Sequence, residues 1–171
     1  LLLTLLIRLR QMGLFKKDDI RDYHLVSYLC NTEDFPERVF QFLVEWDPTS
    51  LLQTDDGGCL PLHIAAAART SIREFTIIFN YVIRYYPYKK GIQLLFQKNA
   101  NNDGTPFQSA CETHGRDRVM EIVEEILTRY HSEGTPLHII EALMVAAADE
   151  NIHLDCSYFL LRREPDVLVR L

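Results

Sequence analysis

Asp56-Gly57-Gly58-Cys59-Leu60-Pro61-Leu62-His63-Ile64-Ala65-Ala66 is the stretch that decides how this chain folds. Its glycines allow positive φ in a tight turn. Pro61 then opens a helix at the first position, where no backbone N–H is needed. Small residues such as Ala65 and Ala66 let neighbouring helices approach closely. Asp103-Gly104-Thr105-Pro106-Phe107-Gln108-Ser109-Ala110-Cys111 repeats the arrangement, with Thr105 placed to cap the helix. Internal repetition is therefore the organising feature.

Working outward, each such short helix precedes a longer one. Ile72, Phe75, Ile78, Phe79, Val82 and Tyr86 form an apolar stripe at helical spacing, opened by Ser71 with Glu74 as a capping box and stopped by Pro87. Val119, Ile122, Val123, Ile126, Leu127 and Tyr130 form another. A third runs from Pro36 through Val39, Leu43 and Trp46 to Asp47-Pro48, and a fourth covers about 154–163, before Pro165. The shorter helices fall at 20–30, 61–68, 106–113 and about 141–148. Period-two alternation and Asn-Gly hairpins are absent, so strand signals are nearly missing. Short helix, turn, longer helix and polar loop, repeated, spell an all-α solenoid.

The turn residues say which solenoid. The two quoted stretches resemble the ankyrin signature, in which an Asp/Gly turn leads into Thr-Pro-Leu-His and an Ala pair. The resemblance covers most of 20–165 and is strongest in the middle two repeats. It implies about four helix-turn-helix repeats, approximately 18–50, 53–98, 99–133 and 134–168, in one domain over 1–171. Hairpin-like fingers would project beside the inner helices, and the longer helices would form an outer layer. The signature histidine implies a structural role for His63 and His138, with the imidazole bonded to backbone of the turns. Departures are Leu60 for the family's Thr and Gln108 for its His. Pro61 and Pro106 also lie 45 residues apart, against a family period of about 33. The surplus falls in 85–96, where Gly91-Ile92-Gln93-Leu94-Leu95-Phe96 is apolar enough for an extra helical turn or a strand. An insertion of this kind is expected to project from one face. In the last repeat, Gly134-Thr135-Pro136-Leu137-His138 competes with an alignment of Ala146-Ala147-Ala148 on Ala66-Ala67-Ala68. The alanine alignment is preferred.

Composition bounds the function. At 171 residues, 47% hydrophobic and 25% charged, the chain is an ordinary globular one, neither disordered nor low in complexity. A net charge of −6 argues against nucleic acid, which needs a basic footprint, and against an acidic membrane surface. The opening Leu1-Leu2-Leu3-Thr4-Leu5-Leu6-Ile7 is too short to span a bilayer, and Arg8 and Arg10 follow it where a secretory signal would carry charge ahead. Residues 1–12 read as a helix, the remnant of a preceding one. Cys30, Cys59, Cys111 and Cys156 are dispersed among apolar neighbours, which fits reduced, packed thiols and an intracellular location, cytoplasmic or nuclear.

Catalytic and metal chemistry finds little support. Cys111-x-x-His114 and His153-x-x-Cys156 have ligand-like spacing, and a Cys/His pair with Glu112, Asp149 or Asp155 has the composition of a nucleophile. Yet the cysteines stand where packing residues belong, and no nucleophile elbow, phosphate-binding loop or His-Glu-x-x-His occurs. No enzyme, cofactor or metal is expected. Residues 69–98 carry six Lys/Arg against Glu74, between acidic flanks, with Tyr81, Tyr85, Tyr86 and Tyr88 interleaved. That composition suits steering and hot spots, although a solvated outer face over core tyrosines yields it too. The expectation is a monomeric, non-catalytic module that binds a protein partner through its turns and inner-helix face. Its candidates are Gln53, Thr54, Asp55, Asp56, Cys59, Asn101, Asn102, Asp103, Glu112 and Thr113, then Tyr85, Tyr88, Lys89 and Lys90 of the insertion. A structural spacer within a larger protein is the second reading.

Overall fold

The computed structural model describes residues 1–69, 71–87, 89–101, 104–131, 148–150 and 152–163. Helix dominates them, and the only pairing of extended backbone among them is an isolated antiparallel bridge between Gln97 and Ile152. The elements are α1 (Leu2–Gln11), α2 (Lys17–Asp22), α3 (Leu25–Cys30), α4 (Glu37–Trp46), a 3₁₀ turn (Pro48–Leu52), α5 (Pro61–Ala67), α6 (Ile72–Tyr85), α7 (Lys89–Phe96), α8 (Pro106–His114), α9 (Arg116–His131) and α10 (Asp155–Arg163).

Two rows of helices build the core. The short helices α3, α5 and α8 pack one on the next, and α6 lies against both α5 and α9. The stripe on α6 explains this layer, since Ile72, Phe75, Ile78, Phe79 and Val82 are all buried. Fully burying one such side chain is worth about 1.5–3 kcal/mol, so this helix is held by its packing rather than by propensity. On the outer side Phe40 of α4 meets Tyr81 of α6 edge-on at 5.6 Å. The ion pairs Arg73–Glu37 and Arg84–Glu45 cross the same seam. α1 rests Leu3, Leu6 and Leu9 on the core and stacks Arg10 over Trp46, 4.1 Å from the ring centre.

Three sequence expectations change here. The single helix over 20–30 is broken into α2 and α3 at His24, whose φ is +47°. In one continuous helix Ile20 and Leu29 would face about 180° apart at 3.6 residues per turn; the left-handed break turns both inward, to 0% and 6% exposure. The surplus after Tyr85 does not project. It is the helix α7, which buries Ile92, Leu95 and Phe96 and packs on α6, α8 and α10. Gly91 permits that docking, because a Cβ there would sit 2.4 Å from the Tyr86 carbonyl oxygen. Ser71 Oγ caps α6 by accepting from the Arg73 N–H at 2.9 Å, not from residue 74.

The expected helix at 141–148, apart from Ala148, and the competing start at 134–138, with His138, lie outside the described residues. α10 forms where the fourth stripe was read, but leans on α7, with Phe159 and Phe96 ring centres 5.6 Å apart, and pairs Arg163 with Glu124 of α9.

Candidate functional site

The turns before α5 and α8 are where the chain's polar groups are organised. In the first, Asp55 Oδ1 accepts from the N–H groups of Gly57 (3.0 Å) and Cys59 (2.8 Å), and Asp55 N–H donates to the Cys59 carbonyl at 2.9 Å. Its carboxylate therefore shapes the finger from within. Gly58 sits at φ +73°, and a Cβ on it would lie 2.2 Å from Ala100 Cβ. This close approach places the first finger directly beside the second, which closes through Asn99 N–H to the Gly104 carbonyl at 3.2 Å.

Each finger is tied to its helix by the residue at the third helical position. His63 Nδ1 accepts from the Leu60 N–H at 3.1 Å, and His63 Nε2 lies 3.0 Å from the Gln97 carbonyl oxygen, to which it donates. One neutral tautomer satisfies both bonds. Burial lowers the His63 pKa below its ordinary value, against the raising influence of the Gln97 carbonyl and of Asp55. In the next turn Thr105 Oγ1 accepts from the Gln108 N–H and Gln108 Oε1 from the Thr105 N–H, each at 3.2 Å, a reciprocal capping box. Gln108 Nε2 then reaches forward, 3.2 Å from both His153 Nε2 and Asp155 Oδ2. The two side chains differ, yet both close their own turn and touch the next one.

The proposed partner-binding residues separate accordingly. Asp56 and Asn101 are exposed on adjacent fingers, and Asp56 lies 4.0 Å from His24 Nε2. Thr54 is exposed as well. Gln53 instead donates to the Arg21 carbonyl at 2.8 Å and Cys59 is half-buried. Glu112 is exposed but stands near the far end of α8, about 9 Å along the axis from Pro106 at 1.5 Å per residue, and Thr113 Oγ1 donates to the Ser109 carbonyl. Of the insertion set, Tyr85 is half-buried with Arg84 against its ring, and Lys90 is exposed with its ammonium 4.8 Å from the Tyr86 ring centre. Asn102, Asp103, Tyr88 and the Lys89 side chain lie outside the described residues.

Comparison with protein-family models, with curated proteins and with solved structures returns no match. Assignment therefore rests on geometry alone. Among the described residues no three of His, Cys, Asp or Glu are grouped as a metal site would need, and no helix is long and apolar enough to cross a membrane. Burial pushes the Cys156 thiol up to about 12 and raises Cys30 and Cys111 as well, so thiolate is disfavoured at all three.

Sequence reasoning passed over two features. Asp47 is fully buried and holds α2, with Lys17 Nζ at 3.4 Å and Arg21 Nε at 3.2 Å, while accepting from Thr49 Oγ1 at 2.6 Å. The Asp-Pro-Thr turn was its only local signal. The other is the face of α10 marked by Leu154, Tyr158 and Arg162, spaced by four and set against the core-facing Cys156, Phe159 and Leu160.

Proposed function

We propose that the chain is an ankyrin-like repeat module that recognises a protein partner without catalysis, in a reducing intracellular compartment. What supports this most is the pair of junctions at His63 and Gln108. The first ties its finger to Gln97 just after α7, the second reaches Asp155 at the start of α10, and Gly58 against Ala100 sets the fingers side by side. Stacked α5 and α8 then present two finger tips side by side, a geometry that serves recognition of extended surfaces. Burial, which raises the thiol pKa of Cys30, Cys111 and Cys156, argues against these three as nucleophiles and favours packing roles.

The binding face is assigned to Thr54, Asp56 and Asn101 at the tips, with Glu112 along α8. Asp55 is a shaping residue of the finger rather than a contact. The test is site-resolved photo-cross-linking in the source lysate, with the cross-linking residue at Asp56 or Asn101 compared with Arg38 or Glu121 on the outer helices. A specific adduct at the first two positions alone is expected. Adducts at none of the four, or equally at all, would overturn recognition through the fingers and leave the role of a rigid spacer.

A further inference from the structure

α10 buries Cys156, Phe159 and Leu160, but its opposite face is not polar. Leu154 and Tyr158, four residues apart, are 69% and 73% exposed, and Arg162 continues the line. Beside this face a cleft of about 210 Å³ opens between α10 and the start of α8 and α9, with Phe107, Met120 and Phe159 on its walls. Arg116 and Arg162, both exposed, complete the lining, and neither has an ion-pair partner among the described residues. The Arg116 guanidinium lies 6.0 Å from the Phe107 ring centre. Asp155 also lines the cleft, but its Oδ2 accepts from Gln108 Nε2 and lies 3.4 Å from His153 Nδ1.

We propose that this cleft takes one large apolar side chain from a partner segment whose adjacent residues are acidic. The proposal rests on the protein-recognition reading and adds a second contact to the fingers. The volume is below the roughly 300–1,000 Å³ typical of small-molecule sites, so a single anchor residue fits and a cofactor does not. Apolar walls select that anchor. The two guanidiniums select its neighbours, since each fork matches a carboxylate in bidentate fashion and repels lysine. Arg116 stands out because residues 112–150 hold nine acids and, besides it, only Arg118 and Arg129 as basic residues. Exposed Tyr and Arg around an apolar-walled pocket is also the composition of an interface hot spot.

The probe is the acetylated, amidated hexapeptide Asp-Glu-Phe-Leu-Asp-Glu, titrated into the whole ¹⁵N-labelled chain, with the same peptide bearing Lys at the four acidic positions as control. Amide shifts at Phe107, Arg116, Met120 and residues 155–162 are expected, with none from the lysine peptide. Arg116→Glu and Arg162→Glu, both surface changes, should each weaken binding roughly tenfold at an unchanged melting temperature. Tyr158→Ala should weaken it as well. Equal binding of both peptides, or unchanged binding by the Glu variants, overturns the proposal. Inorganic phosphate reproducing the shifts would make the cleft an anion site only. Self-association lost in Arg162→Glu would make the occupant a second copy. Shifts confined to 55–60 and 97–101 would remove the cleft while keeping recognition at the fingers, and no shift at millimolar peptide would remove the cleft alone.

Discussion

The two turn-to-helix junctions reach the same end with different chemistry. At the first, the cap position is Leu60, 1% exposed, which has no acceptor to offer. The imidazole of His63 closes the turn and reaches Gln97 on the other side. At the second, Thr105 and Gln108 share the capping, and the amide of Gln108 reaches towards α10. What the position requires is one acceptor facing backward and one donor facing forward. A neutral imidazole meets that requirement, and so does a primary amide, but only the imidazole can be disabled by a proton.

The largest difference between the junctions should appear in their glycines. Gly58→Ala places a methyl 2.2 Å from Ala100 Cβ at φ +73°, whereas a Cβ on Gly104, at φ +145°, meets among the described residues only Gln108 Oε1 at 3.7 Å. Urea denaturation should show a loss of about 3 kcal/mol or more for Gly58→Ala, from overpacking plus strain, and about 1–2 kcal/mol for Gly104→Ala, from strain alone. Next in size is His63→Ala, which strands the Leu60 N–H and the Gln97 carbonyl; about 2–3 kcal/mol is expected. His63→Gln should recover most of that loss, since glutamine already performs this role at position 108.

The pH response separates the junctions further. Burial lowers the pKa of His63, and also that of His114, so the folded chain resists a proton that the unfolded chain accepts. The stability due to these groups is complete above the ordinary imidazole value of about 6.5 and is lost progressively as pH falls below it. Denaturation midpoints measured from pH 7.5 to 5 should therefore fall in the parent chain. The fall should be smaller in His63→Gln, with His114 contributing the remainder. The smallest effect belongs to the outer seam: Glu37→Gln removes an exposed ion pair with Arg73 and should cost no more than about 1 kcal/mol, less at high salt.

Helix positions were legible in the sequence because apolar periodicity and Pro/Gly punctuation are local. The stripe on α6 and the start at Pro106 are both read directly from residues. The break at His24 was not legible, because nothing local in Ile20 to Cys30 demands it; the demand comes from two apolar faces that a straight helix would set apart. α7 was half legible: its apolar letters were plain, but its docking depends on the contact of Gly91 with the end of α6. For the site, the glycine turns were visible, whereas the division of labour between Asp55, which builds the finger, and Asp56, which points from it, lies in hydrogen bonds that spacing does not encode. The cleft beside α10 joins Arg116 to Arg162 across two helices, a pairing with no trace in sequence distance.

The state of the His63 ring tests the central claim most directly, because its two nitrogens close the turn at Leu60 and tie it to the Gln97 carbonyl. A long-range ¹H–¹⁵N spectrum of the imidazoles at pH 7 should show His63 neutral, protonated on Nε2 and bare at Nδ1, with its titration displaced below the ordinary value. A ring protonated on Nδ1, or one titrating as a free imidazole, would contradict the junction and with it the proposed ankyrin-like stack.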